Sequence, residues 1–365
     1  MPCQAIYALD LTITILYHLF YQRQRKMLQI SNLTPYATDR AIAIDPSGAQ
    51  IWVVVIKATF MLSEDGSVSP AAEDDQEPVC AAPEYFGEPG CSSLRRESEL
   101  VYAHPGTDVI VNASAYAPNG KPCPEVLVGV RVGPVRKLLR VLGERRWRRR
   151  FGRVVPSAPE PFTTMPIRYE RAYGGTSPDA RATPEMDPRN PVGRGFHHRP
   201  EAILDRPAPN LEDPDRPIKS AHPSSQPAGL GIIASWWLPR RTFGGTYDAA
   251  WRKEQMPFLP DDFDPRFFLC ASPGLTTGKH LCGGEPVKLV NLSRGGSLYF
   301  QLPRLSFVVD TLINRQRVRS DVVIDRVIIE PDQRRLVMVW RSSLPCGSHA
   351  WRIEKSIVAH KSRPF

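Results

Sequence analysis

Three carboxylates stand close together in a proline-flanked segment of the chain, at Asp261, Asp262 and Asp264. Two carboxylates that face one cleft can hydrolyse a glycosidic bond, one as the general acid and the other as base or nucleophile. In a turn, however, such side chains more often accept hydrogen bonds from the backbone around them. The spacing therefore favours a capped turn, and a carbohydrate-active β-rich enzyme that uses the acids near Asp262 stays as an alternative function.

The histidines and cysteines do not show the spacings of established metal or nucleophile sites. His197 and His198 are adjacent without a third ligand nearby, and His280 with Cys282 is a single pair. The sequence has no Cys-x-x-Cys pair, no glycine-rich phosphate loop and no Gly-x-Ser-x-Gly motif. We therefore expect a protein that is not an enzyme and that holds neither a metal nor a cofactor.

A basic run between residues 136 and 153 is the sharpest charge feature of the chain. The whole sequence has a formal net charge of +9, and this run alone contains nine Lys and Arg residues against the single acid Glu144. Its centre sets an aromatic ring among cations, in the order Arg145, Arg146, Trp147 and Arg148. Such a run can bind nucleic acid, line the exposed face of a strand, or pair with the carboxylates of an acidic partner protein. The three interpretations stay open at this point, although nucleic acid is not the partner that we expect.

The basic run belongs to a β-rich block over residues 48–155. Residues 51–62 are β-branched and aromatic almost without a break, which predicts a strand buried on both faces. The Glu-Asp-Gly sequence at residues 64–66 predicts a tight turn and a returning strand. This pattern is typical of a hairpin at the start of a sheet.

A second hairpin is expected further along the same block. Residues 108–116 and 125–132 have strand character and flank Asn119-Gly120, the strongest short turn signal in the chain. Residues 135–142 follow as another strand. The short strands and their turn spacing are typical of a β-sandwich or barrel.

The middle of the chain, residues 156–285, has a different character. The chain contains 37 prolines, and they recur every few residues here, which excludes long helices. A disordered linker would be poor in aromatic residues, whereas this stretch is rich in them. We therefore predict an ordered coil that packs over a sheet and presents a binding surface. Its candidate anchors are Trp236, Trp237, Tyr247 and Trp251.

Strand patterns resume at Pro286 and continue to the end of the chain. Residues 321–330 and 334–340 form a predicted hairpin around Pro331. We therefore predict a mainly β fold, with sandwich- or barrel-like sheets built by the N- and C-terminal blocks around the proline- and glycine-rich coil. The expected divisions after the coil are strands at residues 286–303 and a C-terminal β extension over 304–365 that packs on the same domain.

The first 26 residues are expected to be a non-native or poorly ordered extension. Residues 11–21 are apolar, but the run is too short to span a bilayer and lacks the preceding basic residues of a signal peptide. We expect Met27 to be the natural start of translation. Seven cysteines without a disulfide framework favour a reducing compartment, so we expect a cytoplasmic protein with no stable membrane insertion.

Several strings, taken in order, resemble one known bacterial family. They lie at residues 51–60, 107–118, 141–147, 161–166, 169–175, 188–196, 209–212, 244–248, 259–264 and 284–286. Together they are similar to the domain-of-unknown-function family 2169, over about residues 27–303. Arg189, Asn190 and Arg194 lie within one of these strings and complete the candidate partner-binding residues.

The resemblance implies a role with the type VI secretion machinery. Members of this family are encoded beside spike proteins and toxic effectors, and are regarded as adaptors or chaperones that load an effector onto the spike. The family has no established catalytic residues. The expected function is therefore a non-enzymatic adaptor or chaperone whose partners are a secreted effector toxin, a spike-tip protein or both.

Overall fold

A computed structural model describes residues 29–179 and 185–361 of the chain. The predicted extension over residues 1–26 lies outside the described residues. The described part is mainly β. Its strands are β1 (Gln29–Asn32), β2 (Ala37–Ile44), β3 (Gln50–Leu62), β4 (Val68–Pro70), β5 (Glu84–Tyr85), β6 (Leu94–Arg96), β7 (Asp108–Val111), β8 (Ser114–Tyr116), β9 (Glu125–Val132), β10 (Val135–Leu142), β11 (Trp147–Arg150), β12 (Arg153–Pro156), β13 (Thr164–Pro166), β14 (Tyr173–Gly174), β15 (Arg194–Gly195), β16 (Leu211–Glu212), β17 (Pro286–Ser293), β18 (Gly296–Gln301), β19 (Phe307–Ile313), β20 (Gln316–Ser320), β21 (Val323–Glu330), β22 (Arg335–Gly347) and β23 (Ile353–His360).

Helices are short wherever the structure describes the chain. The α-helix α1 (Ala249–Glu254) is capped at its N-terminus by Asp248, whose carboxylate accepts a hydrogen bond from the Trp251 backbone amide. Single 3₁₀ turns lie at Glu73–Asp75, Pro118–Gly120, Tyr169–Arg171, Pro200–Ile203, Arg240–Gly244, Pro265–Phe268, Pro331–Gln333 and Ala350–Arg352. In the described residues, no helix has the length and apolar character needed to cross a bilayer.

A six-stranded sheet forms one side of the core. Its order is β2-β3-β22-β21-β7, and β4 also pairs with β3. β3 lies between two neighbours and almost all of its residues are buried, as its unbroken apolar sequence predicts. The predicted hairpins β3–β4 and β21–β22 are both confirmed by their antiparallel pairing.

A five-stranded sheet forms the other side, in the order β16-β10-β9-β17-β18. β9 and β10 have the bounds that the sequence predicts, and they pair antiparallel from Val132 and Val135 to Glu125 and Leu142. Their side chains alternate between buried and exposed, because one face packs on the core and the other faces water.

The predicted hairpin between residues 108–116 and 125–132 is wrong. β7 pairs in parallel with β21, and β8 pairs with β13 instead of β9. Asn119 and Gly120 do have positive φ values of 56° and 67°, but they lie in a 3₁₀ turn that connects strands of different pairs. The turn signal describes the local backbone alone, whereas the partner of β7 lies near the other end of the chain.

One continuous core joins both sheets to the C-terminal strands. A four-stranded sheet of order β1-β23-β19-β20 contributes Phe307, Val309 and Val358 to the same buried cluster as Val55 and Val128. The fold is therefore a sandwich-like arrangement of several sheets, and the described strands form no closed barrel. The residues after 303 share the core of the residues before it.

The proline-rich middle is ordered and partly encloses a second, smaller core. This second core contains Trp147, Val154, Tyr173, Ile203, Ala208 and Ile218. Two of its members, Trp147 and Val154, come from the ribbon β11–β12, and the others come from the coil after it. The coil thus packs against β11 and β12 and holds them on the rest of the molecule.

Candidate functional site

The basic run forms an antiparallel hairpin, β11–β12, which we call the basic hairpin. Its two turn residues, Phe151 and Gly152, have positive φ values of 48° and 74°, as a type I′ turn requires. Phe151 is 92% exposed, so nearly the whole ring is in water. A bulky residue in this backbone region is uncommon and costs free energy, and such strain is concentrated at functional sites.

Charge on the basic hairpin is only partly neutralised. Arg148 contacts the Asp205 carboxylate, and Arg149 lies 3.8 Å from the Glu201 carboxylate. Arg150 and Arg153 make no ion pair with any acid in the described residues, although the Arg150 guanidinium lies 5.4 Å from the centre of the Phe151 ring. The tip is therefore an exposed aromatic ring between two unpaired cations.

Two of the predicted binding residues instead hold the base of the hairpin. Trp147 is fully buried in the second core. Arg145 is buried too, and its guanidinium donates to the Glu212 carboxylate and to the Pro209 carbonyl. Arg146 remains exposed and donates to the Asp205 carbonyl at 2.7 Å. Full burial leaves Arg145 and Trp147 no surface for a partner, so their role here is to position the exposed residues.

Hydrogen bonds hold in place the loop that contains Arg189, Asn190 and Arg194. The Asn190 amide is buried and donates to the Tyr169 and Tyr173 carbonyls at 2.8 and 2.9 Å. Arg189 donates to Asp187, and Arg194 donates to the Glu170 carbonyl. These hydrogen bonds give the three residues a structural role, because they fix the shape of the loop. Parts of the Arg189 and Arg194 side chains remain in contact with water.

The candidate aromatic anchors of the coil divide into two pairs. Trp237 is fully buried and Trp236 is half-buried against the core, with the two rings in a perpendicular contact 5.8 Å apart. Tyr247 is 39% exposed and meets Trp251 edge to face at 4.7 Å. The Trp251 indole donates to the Phe258 carbonyl. Of the four, Tyr247, just before α1, is the exposed one, and half-buried Trp251 of α1 lies beside it, so this pair can contact a partner.

The acids near Asp262 cap turns. Asp262 accepts hydrogen bonds from the backbone and hydroxyl of Thr246, at 2.8 and 2.7 Å, and Asp264 accepts from the backbone amide of Arg266. The Thr246 hydroxyl lowers the pKa of the Asp262 carboxyl below its usual range. A general acid in glycoside hydrolysis needs a raised pKa instead.

Several charged side chains are buried, and two pairs of opposite charge among them lie in contact. Lys57 lies 3.1 Å from Glu99, and Arg96 lies 2.7 Å from Glu330, with all four side chains almost fully buried. Burial also raises the pKa of the Cys80 thiol to about 12, which makes it a poor nucleophile. The paired charges stabilise the fold, and the buried Cys80 thiol stays protonated.

Sequence reasoning missed the residue that stands out most, Phe151. A signal was present, because Phe-Gly separates two stretches of Arg and Val in the way that a two-residue turn separates two strands. The solvent-facing side of the five-stranded sheet was missed as well. Within residues 29–179 and 185–361, no three His, Cys, Asp or Glu side chains lie close enough together to bind a metal ion.

Comparison with known proteins gives one match. A family model described as an uncharacterised protein conserved in bacteria (DUF2169) matches residues 47–341 of the 365. The match begins and ends later than the range of 27–303 expected above, and it takes in β21 and most of β22, the central strands of the six-stranded sheet. No curated protein and no solved structure matches the chain. Since the model covers more than half of the sequence, the chain belongs to the bacterial family DUF2169.

Proposed function

We propose that this chain is a non-enzymatic adaptor or chaperone that binds a type VI secretion effector toxin, a spike-tip protein or both. It acts in the cytoplasm, before delivery and without inserting into a membrane. The proposal rests on the family resemblance for the identity of the partners and on the surface for the mode of binding. Carrying another protein requires a rigid, ordered surface with aromatic anchors and no reactive centre.

The single observation that carries the proposal is the tip of the basic hairpin. Phe151 stands 92% exposed between Arg150 and Arg153, while the other end of the hairpin is fixed in the second core by Trp147. Aromatic and Arg side chains are enriched among the residues that dominate binding energy at interfaces. A rigidly mounted tip also loses little conformational entropy on binding.

The test is co-expression with the proteins encoded by the reading frames beside this gene. We expect the chain to co-purify with an effector or a spike protein as a stable complex. Deleting the gene should abolish delivery of that effector while leaving the rest of the secretion apparatus active. A chain that always purifies alone, together with full toxin delivery in its absence, would sink the proposal.

A further inference from the structure

The outer face of the five-stranded sheet is a second large surface, distinct from the basic hairpin. In β9, β10, β17 and β18 the buried residues alternate with exposed ones, so one face of the sheet is the core and the other is open to water. A half-solvated sheet face normally carries polar side chains. This one carries exposed apolar side chains beside its charged ones.

Large apolar side chains are exposed on the outer face, two leucines on inner strands and a tyrosine on the edge strand β18. Leu138 of β10 is 55% exposed, Leu127 of β9 is 46% exposed, and Tyr299 of β18 is 56% exposed. Leu138 lies over Gly129, because a Cβ added there would come within 3.0 Å of the Leu138 Cδ2 atom. Gly129 and Leu138 therefore form a shallow apolar surface.

A row of cations crosses the same face. Arg136 of β10 is directly opposite Arg131 of β9, and Arg131 is directly opposite Lys288 of β17. Like charges directly opposite each other on neighbouring strands are destabilising. None of the three makes an ion pair with an acid that the structure describes, whereas Arg140 on the same face contacts Glu125 at 2.6 Å. The free protein thus bears a repulsion that a negatively charged partner would relieve.

The free edge of this sheet is shielded, so a partner meets its face. At Gly66, in the turn between β3 and β4, an added Cβ would come within 1.9 Å of the Tyr299 carbonyl oxygen of β18. The turn therefore lies directly against the outer strand, which blocks the pairing of another strand at that point.

From this combination we infer that the outer face of the five-stranded sheet, formed by Leu127, Leu138, Tyr299, Arg131, Arg136 and Lys288, docks an acidic, leucine-rich segment of a partner protein. The inference deepens the proposed adaptor function, on which it rests, by giving the adaptor a second docking surface and naming the chemistry of its ligand. Two of the exposed apolar side chains, Leu127 and Leu138, provide contacts for the aliphatic side chains of a protein, and only Tyr299 offers a ring on which a base could stack.

The test uses a dye-labelled peptide of about ten residues in which Leu-Leu and Glu-Glu pairs alternate, so that each face of the extended peptide carries both residue types. Fluorescence anisotropy of the full chain should show saturable binding that falls steeply as salt is raised. Lys288→Glu should weaken it by about tenfold or more, because a like charge then faces the ligand. Lys355→Glu is the matched control, as it makes the same charge change on an exposed strand residue of another sheet. That variant should bind the peptide as the wild type does.

A carbodiimide, which joins a lysine amine to a carboxylate in contact with it, gives a second readout. The peptide should be coupled to Lys288, and Lys288→Arg should bind normally but lose the coupling. Absence of peptide binding, equal effects of Lys288→Glu and Lys355→Glu, or tighter binding of single-stranded DNA to this face would overturn the inference. These results would leave the adaptor function intact, because co-purification with the neighbouring gene products tests that function separately.

Discussion

The buried carboxylate of Asp108, at the start of β7, accepts hydrogen bonds from the backbone amides of Cys270 and Ala271 and from the Thr276 hydroxyl. The His104 ring lies 3.4 Å away. One side chain thereby ties a distant part of the coil to the six-stranded sheet. The sequence shows Asp108 as an ordinary residue at a strand end, because its partners lie far along the chain and only the folded backbone brings them near.

Replacing Asp108 by Asn should lower the free energy of unfolding by about 2 kcal/mol at neutral pH. Burial alone would raise the pKa of the Asp108 carboxyl, but the contacts with His104 and Thr276 outweigh it and hold this pKa at about 2, below the value of about 4 in an unfolded chain. Its stabilising contribution is therefore complete above about pH 4 and is lost as the pH falls towards 2.

Urea unfolding of wild type and Asp108→Asn at neutral and acidic pH measures this effect. The difference in stability between the two proteins should shrink on acidification. A variant as stable as the wild type at neutral pH, or a difference that grows in acid, would contradict the assigned role.

At the scale of elements, the basic hairpin combines a buried end and an exposed end. Trp147 at its base is fully buried with Val154 in the second core, and Phe151 at its tip is in water. The sequence predicts the cations and the aromatic residue of this run but assigns the wrong ring to the surface. The alternation of residue types along a short hairpin does not show which face is buried, because the coil that packs on it comes from later in the chain.

These two positions should respond differently to mutation. Trp147→Ala should reduce the free energy of unfolding by about 3–5 kcal/mol, because it leaves a large cavity in the second core. Phe151→Ser should leave the stability within about 0.5 kcal/mol of the wild type, since the ring is exposed. Thermal and denaturant unfolding of both variants checks this contrast, and a large loss of stability from Phe151→Ser would show that the tip is part of the folded core.

At the scale of the whole molecule, the local patterns predict strands better than they predict their neighbours. β9 and β10 are adjacent in sequence, have the predicted bounds and pair with each other, a pairing that the sequence analysis does not assign. The parallel pairing of β7 with β21 joins distant parts of the chain, and the sequence between them gives no local sign of it. The coil is likewise predictable as ordered from its aromatic residues, whereas its division between two cores depends on long-range packing.

Two exposed surfaces, the basic hairpin and the outer face of the five-stranded sheet, suit the adaptor function that we propose. The basic hairpin extends beyond the C-terminal end of β10, and the cation row of the sheet lies at the opposite end of the same strand. An adaptor that joins an effector to a spike requires two such surfaces, each binding without chemical change to the partner.

The most direct test of this account measures the affinity of the chain for the effector or spike protein that co-purifies with it. Isothermal titration should compare the wild type, a hairpin variant with Phe151→Ser, Arg150→Glu and Arg153→Glu, and the Lys355→Glu control. We predict that the hairpin variant stays folded and loses at least about tenfold in affinity, since aromatic and Arg anchors dominate interfaces, while the control keeps its affinity. Unchanged affinity in the hairpin variant would contradict the claim that the protein holds its partner by this tip.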